Sequence, residues 1–289
     1  MSADTAEGVP TAAPPPASRL PGTFDQVLIL ARWQWRDYLR SRRFLILFAI
    51  ITIVGVILTG VTAYFRPAFI NSPAALYATL WGGAVTIPIV FAGIFFGSDA
   101  IAGEFQNKTG YFLMGLPIRR VTVYAAKYLA ALFASFVVLV YFAAIVLANG
   151  AFYLGADAFP WQFGASFLLA TVYLLALLGF TFLFSSLFKT SSYATLLTAV
   201  LFLFGFNILA AVISGLARSE PWMIISYSSG IIGNVFLDPY PPHVVPASPG
   251  GPPFATYNPT IETGVAIMLA YLVLSAVAGL WFFERKEFS

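Results

Sequence analysis

The stretch IAGEFQNKTGYFLMGLPIRR, residues 101–120, gathers Glu104, Lys108, Arg119 and Arg120 between long apolar runs that carry no charge. Groups that could catalyse are scarce elsewhere. The chain has no Cys and one His, which excludes disulfides, iron–sulfur clusters, thiolate zinc sites and Cys nucleophiles. Ser166, in the small-residue run GASF at 164–167, has the form of an intramembrane nucleophile, but His243 lies in a Pro-rich loop and cannot serve it as a base. Small residues there suit close helix packing instead. With no second His, His243 is a solvated loop residue and not a metal ligand. Met114, Met223 and Met268 fall in regions of different topology and form no soft-metal stripe. No Gly precedes a Lys, so no P-loop can cradle a nucleotide's phosphates in this chain.

The elements that must position residues 101–120 follow from composition. Of 289 residues, 60% are hydrophobic and 9% charged, against about 25% charged in soluble domains. A soluble fold of this length cannot hide that much apolar surface, so the chain is expected to be an all-α integral membrane protein. Six uncharged apolar stretches, at 44–64, 76–98, 128–149, 163–188, 193–217 and 263–283, each approach or exceed the ~20 residues that cross a hydrocarbon core as a helix. With the N-terminus in the cytoplasm, 13 Lys and Arg fall inside and only Arg66 and Arg218 outside. The positive-inside rule therefore places both termini and residues 101–120 in the cytoplasm, with the chain in the cell membrane. The basic residues serve topology, so no nucleic acid is expected as a partner, and the NKT sequon at 107–109 should be silent.

Residues 1–22, rich in Pro and Ala, read as a disordered cytoplasmic tail without the pattern of a cleaved signal peptide. Residues 23–43 read as an amphipathic helix that opens on a capping box of Thr23 and Gln26. Phe24, Leu28, Ala31, Trp35 and Tyr38 share one face, while Arg32, Arg36 and Arg40 share another and meet lipid headgroups. Residues 44–289 form the six-helix domain. Its external segment, 218–260, begins with Pro221 to Leu237, too short to cross and broken by Gly230 and Gly233, hence re-entrant. Eight Pro between 239 and 259 then make an extended loop.

The cytoplasmic loop 99–122 carries Phe105, Phe112, Leu113 and Leu116 on one helical face, ended by Pro117. A short apolar-faced helix in the cytosol wants a partner groove. Here the sequence resembles the permease subunits of type-2 ABC transporters, in which a Glu after the second span is followed by a Gly-Thr pair, a short amphipathic helix, Pro and Arg, and a Lys opening the third span. The corresponding residues are Glu104, Thr109, Gly110, Leu113, Leu116, Pro117, Arg119, Arg120 and Lys127, with the Gly-Thr order reversed. The Arg-rich helix at 23–43, the turn FSSLFKTSSYA at 184–194 and the ending FFERKEF are also similar to that family.

The resemblance implies a permease without catalytic residues or cofactors of its own, ATP and Mg being held by a separate ATPase subunit present in two copies. It implies a homodimer or a pairing with a related permease, coupling through residues 101–118, and export in preference to import. It also implies a path along the second and fifth spans, where Trp81, Thr86, Phe202, Phe206 and Asn207 are candidates for substrate contact. Pro88 would kink the second span, and Gly82 and Gly83 would let helices approach closely. The alternative reading is a polytopic scaffold using the same loop for a partner that is not an ATPase. A lipid-acting enzyme would need acid, base or metal groups at one depth, and the spans offer none.

Overall fold

The computed structural model describes residues 21–109, 115, 117–155, 159–246 and 255–286. Of the predicted docking helix, Gly110, Phe112, Leu113 and Leu116 lie outside the described residues.

Helix α1, Thr23–Arg40, starts one residue earlier than a Thr23 cap requires: Gly22 is the cap, and the Gln26 side chain reaches back to the Pro21 carbonyl at 2.9 Å. Ser41 then breaks the chain in extended conformation and caps the next helix, its hydroxyl accepting from the Phe44 amide at 3.2 Å. The amphipathic helix is therefore shorter than expected, and Arg42 and Arg43 open the first span.

Six helical segments are long and apolar enough to cross a membrane. They are α2 (Arg42–Phe65), α3 (Pro73–Gln106), α4 (Arg120–Leu154), α5 (Gln162–Leu187), α6 (Ser191–Gly215) and, after two short helices, α9 (Ile261–Arg285). Each covers one of the six apolar stretches of the sequence. The short helices are α7 (Ile225–Ser228) and α8 (Gly230–Asn234), neither long enough to span. Two-residue strands β1 (Val244–Val245) and β2 (Thr256–Tyr257) pair antiparallel inside the Pro-rich segment.

Burial separates the spans. In α2 and α6 the most apolar stretch is largely exposed within the chain, whereas α3, α4 and α5 supply the core around Trp81, Phe142, Tyr173 and Phe182. Helix α9 lies along α5 in the most extensive helix contact, and α1 lies along α4. Helix α1 docks through Leu30, Ala31, Gln34, Trp35 and Tyr38, with the Trp35 ring 5.6 Å from that of Phe133. Arg32, Arg36 and Arg40 are exposed, and helical periodicity puts them on the opposite face.

Span α3 is not a continuous α-helix. Wide π turns occupy Ala78–Gly82 and Gly93–Gly97, and the turn at 83–85 lies between the first of them and Pro88, whose missing amide cannot support an i to i−4 bond. A second break at 98–101 leaves amides without helical partners. Ser185 of α5 accepts two of them, from Ile101 at 2.8 Å and Ala102 at 3.0 Å.

Candidate coupling base and transport cavity

Two of the three ion pairs among the described residues lie at the end of the bundle that holds residues 101–120. Lys127, on α4 and 7% exposed, carries a charge that cannot stay there unpaired. Its Nζ donates to Glu104 Oε1 at 2.6 Å and to Gln34 Oε1 at 3.1 Å, joining α4 to the end of α3 and to α1. Thr109 Oγ1 donates to the other Glu104 oxygen. One turn away, Asp99 pairs with Arg43 of α2 and accepts from the Ser191 hydroxyl at the start of α6. Burial, and then the Asp99 charge, push the Tyr38 hydroxyl well above the ordinary tyrosine range. It stays protonated and donates to the Phe96 carbonyl at 3.3 Å.

The expected coupling residues divide in two. Thr109, Pro117 and Arg119 are exposed and available to a partner. Glu104, Phe105 and Arg120 are turned into the protein. Glu104 is the counterion of Lys127, and Phe105 lies under the Lys286 ammonium, 4.1 Å from ring centroid to nitrogen. The Arg120 guanidinium donates to the carbonyls of Phe283, Glu284 and Lys286 at 3.3, 2.5 and 3.1 Å, capping the C-terminal end of α9. Sequence reasoning found the segment but missed Arg43, Ser185 and Lys286. Their only signal was a polar residue at the edge of an apolar run.

The path candidates also divide. Thr86, Phe202 and Asn207 line one cavity of about 180 Å³, together with Tyr173 of α5 and Ser226 and Ser229 of the re-entrant segment. Its walls are apolar side chains with hydroxyls and one amide, and the Phe202 residue sits in a third π turn, Leu201–Gly205. Among the described residues, Asn207 donates to the Leu203 carbonyl of its own helix, at 3.4 Å. Phe206 stands behind this wall, its ring 5.1 Å from that of Phe202 and 5.7 Å from that of Phe180.

Trp81 is elsewhere. Fully buried, it stacks on Phe142 and Phe167 and donates through Nε1 to Ser166 Oγ at 2.9 Å. Ser166 in turn donates to the Ile232 carbonyl of α8. Ser166 is thus a buried link between α3, α5 and the re-entrant hairpin. Close by, Gly82 meets Gly233 backbone to backbone, and a methyl at Gly82 would overlap the Gly233 Cα.

Of the interface candidates, Arg32, Arg36 and Arg40 are exposed, but Trp35 packs on α4. The outward aromatics of α1 are Phe24, 74% exposed, and Trp33, 67% exposed. Trp33 escaped the sequence reading because it falls off the single face assumed there.

Against known families, residues 28–288 match the model described as ABC-2 family transporter protein. That match takes in every span and the whole of the 101–120 segment. No curated protein matches the chain.

Proposed function

Since the chain belongs to the ABC-2 family of transporter proteins, and is thus a permease subunit and not itself catalytic, we propose that it is an exporter driven through residues 101–120 by a separate ATPase subunit. Two permease chains pair, either two copies of this one or this one with a related permease, and two ATPase copies bind the base of the pair. Both termini and the base lie in the cytoplasm of a cell-membrane protein. Arg32, Arg36 and Arg40 of α1 face the lipid headgroups there, as the distribution of Lys and Arg along the sequence favours.

The observation that carries this reading is the course of α3. One element leads from the charged base, past the cavity lined by Thr86, to the Gly82 contact with the re-entrant hairpin. Its two π turns and the turn before Pro88 divide it into short rigid pieces that can tilt against one another. ATP-driven closure of the ATPase pair pushes on the exposed Thr109, Pro117 and Arg119. The tilt of α3 then changes access to the cavity. Thr86, Phe202 and Asn207 contact substrate, and Phe206 backs them.

The test is affinity purification of the tagged chain from its membrane, with an ATPase assay on the eluate. A stoichiometric partner bearing a Walker A motif, released by Arg119→Glu, is the expected result. A pure chain with no associated hydrolysis would overturn the reading.

A further inference from the structure

The end of the last span touches the base of α3, and neither the family nor the permease reading gives that contact a part. Lys286 follows directly on α9 and reaches sideways. Its Nζ donates to the carbonyls of Ser186 at 3.0 Å and Phe188 at 2.6 Å, at the C-terminal end of α5, while lying over the Phe105 ring. Helix C-termini leave carbonyls without amide partners and carry partial negative charge, so an ammonium is well placed there. Arg120 does the same for α9 from the head of α4. Each cation caps a helix other than its own.

Among the described residues, the charged groups near Lys286 are Lys189 in the turn after α5, Arg120 on α4, and Glu284 and Arg285 just before it in the chain. Glu104, next to Phe105, is already the partner of Lys127. The Lys286 ammonium is therefore held by carbonyl dipoles and a ring face, and not by a carboxylate among the contacts described. Such a contact is short in range and depends on the exact placement of Phe105.

The geometry points to Lys286 as a positioning residue that fastens the base of α3 to the ends of α5 and α9, so that a push on residues 101–120 moves the three helices together. The source of that push rests on the permease reading. The fastening itself is a property of the isolated chain, and Ser185 shares it by holding the Ile101 and Ala102 amides to α5.

Hydrogen exchange on the full-length chain in nanodiscs tests the fastening without any ATPase. Lys286→Met should raise exchange of the amides at 102–108 by about tenfold, the factor given by ~1.4 kcal/mol of lost local stability. Lys286→Arg, which keeps the charge and the donors, should restore protection. Phe105→Leu alone should also raise exchange, and adding it to Lys286→Met should bring an increase smaller than the sum of the two, because the residues share one contact. If Lys286→Met does not fold, the Arg and Leu variants carry the test. Unchanged exchange in Lys286→Met, failure of Arg to protect, or additive effects would each overturn the inference. Protection that behaves as expected in a chain that never recruits an ATPase would refute the permease reading and leave the fastening in place.

Discussion

The two ends of α3 are held by different physics. At the base, charge does the holding: Asp99 with Arg43, Glu104 with Lys127, and Lys286 on the α5 carbonyls. Twenty residues away, shape does it: Gly82 against Gly233, and Trp81 in an aromatic stack whose one polar atom is bonded to Ser166. The Arg43 side chain is 51% exposed and the Asp99 side chain 23%, so this pair at the water's edge can exchange its contacts for those of a partner at little cost. A backbone contact between two glycines has no substitute, since any shift either opens a void or forces an overlap. The base is built to be moved, and the far end to serve as the point about which it moves.

Breaking the base at its most buried pair should have the largest effect. Glu104→Lys would leave two ammonium groups facing each other where only 8% of the Lys127 side chain meets solvent. Losing one partner of a buried pair costs about 3–5 kcal/mol, and thermal unfolding in detergent should show that loss. The swap Glu104→Lys with Lys127→Glu should recover part of it. For this reason charge reversal at Glu104 cannot by itself report on ATPase docking, whereas charge reversal at the exposed Arg119 can.

At the far end, Gly82→Val should cost about 1–3 kcal/mol through overpacking. The same substitution at Gly60, where an added Cβ meets nothing, should change the unfolding temperature far less. Equal losses at the two glycines would show that the Gly82 contact is not specially tight.

The smallest effect belongs to pH. Burial and the Lys189 ammonium pull Lys286 down to about 8, below the ~10.4 of a lysine in an unfolded chain. The folded pKa is the lower one, so the unfolded chain binds more protons between those values, and stability rises with pH across that window. The charged form bears the penalty in full below pH 8. The neutral amine keeps N–H donors for the Ser186 and Phe188 carbonyls while shedding the burial penalty of the charge, so the difference in unfolding temperature between the wild type and Lys286→Met should widen in favour of the wild type as pH rises from 8 towards 10. A difference that shrinks would contradict the assignment.

Much of this was legible in the sequence because hydrophobic length is a local property. Each of the six spans announces itself within its own residues, and Gly82, Gly83 and Pro88 marked where α3 departs from a regular helix. Pairings were not legible. Arg43 and Asp99 stand 56 residues apart, and hydropathy gives neither the rotation nor the depth at which two helices meet. Ser166 looked like a weak nucleophile or a packing residue, and its bonds to Trp81 and Ile232 come from three separate elements. Trp81, placed on the path by its position in the second span, is fully buried against Phe142 and Phe167, because position along a span does not give the side of the helix that a residue presents.

The central claim is that the base of α3 moves while its far end stays. The natural chain has no Cys, so spin labels can be placed one pair at a time in the complex with its ATPase. One pair, Asn107→Cys with Tyr193→Cys, spans the base; the other, Ser72→Cys with Asp238→Cys, spans the far end. Trapping the ATP-bound state should shift the base distance by more than the width of its own distribution and leave the far-end distance where it was. A far-end distance that shifts as much as the base, or a base that does not shift, would contradict the account.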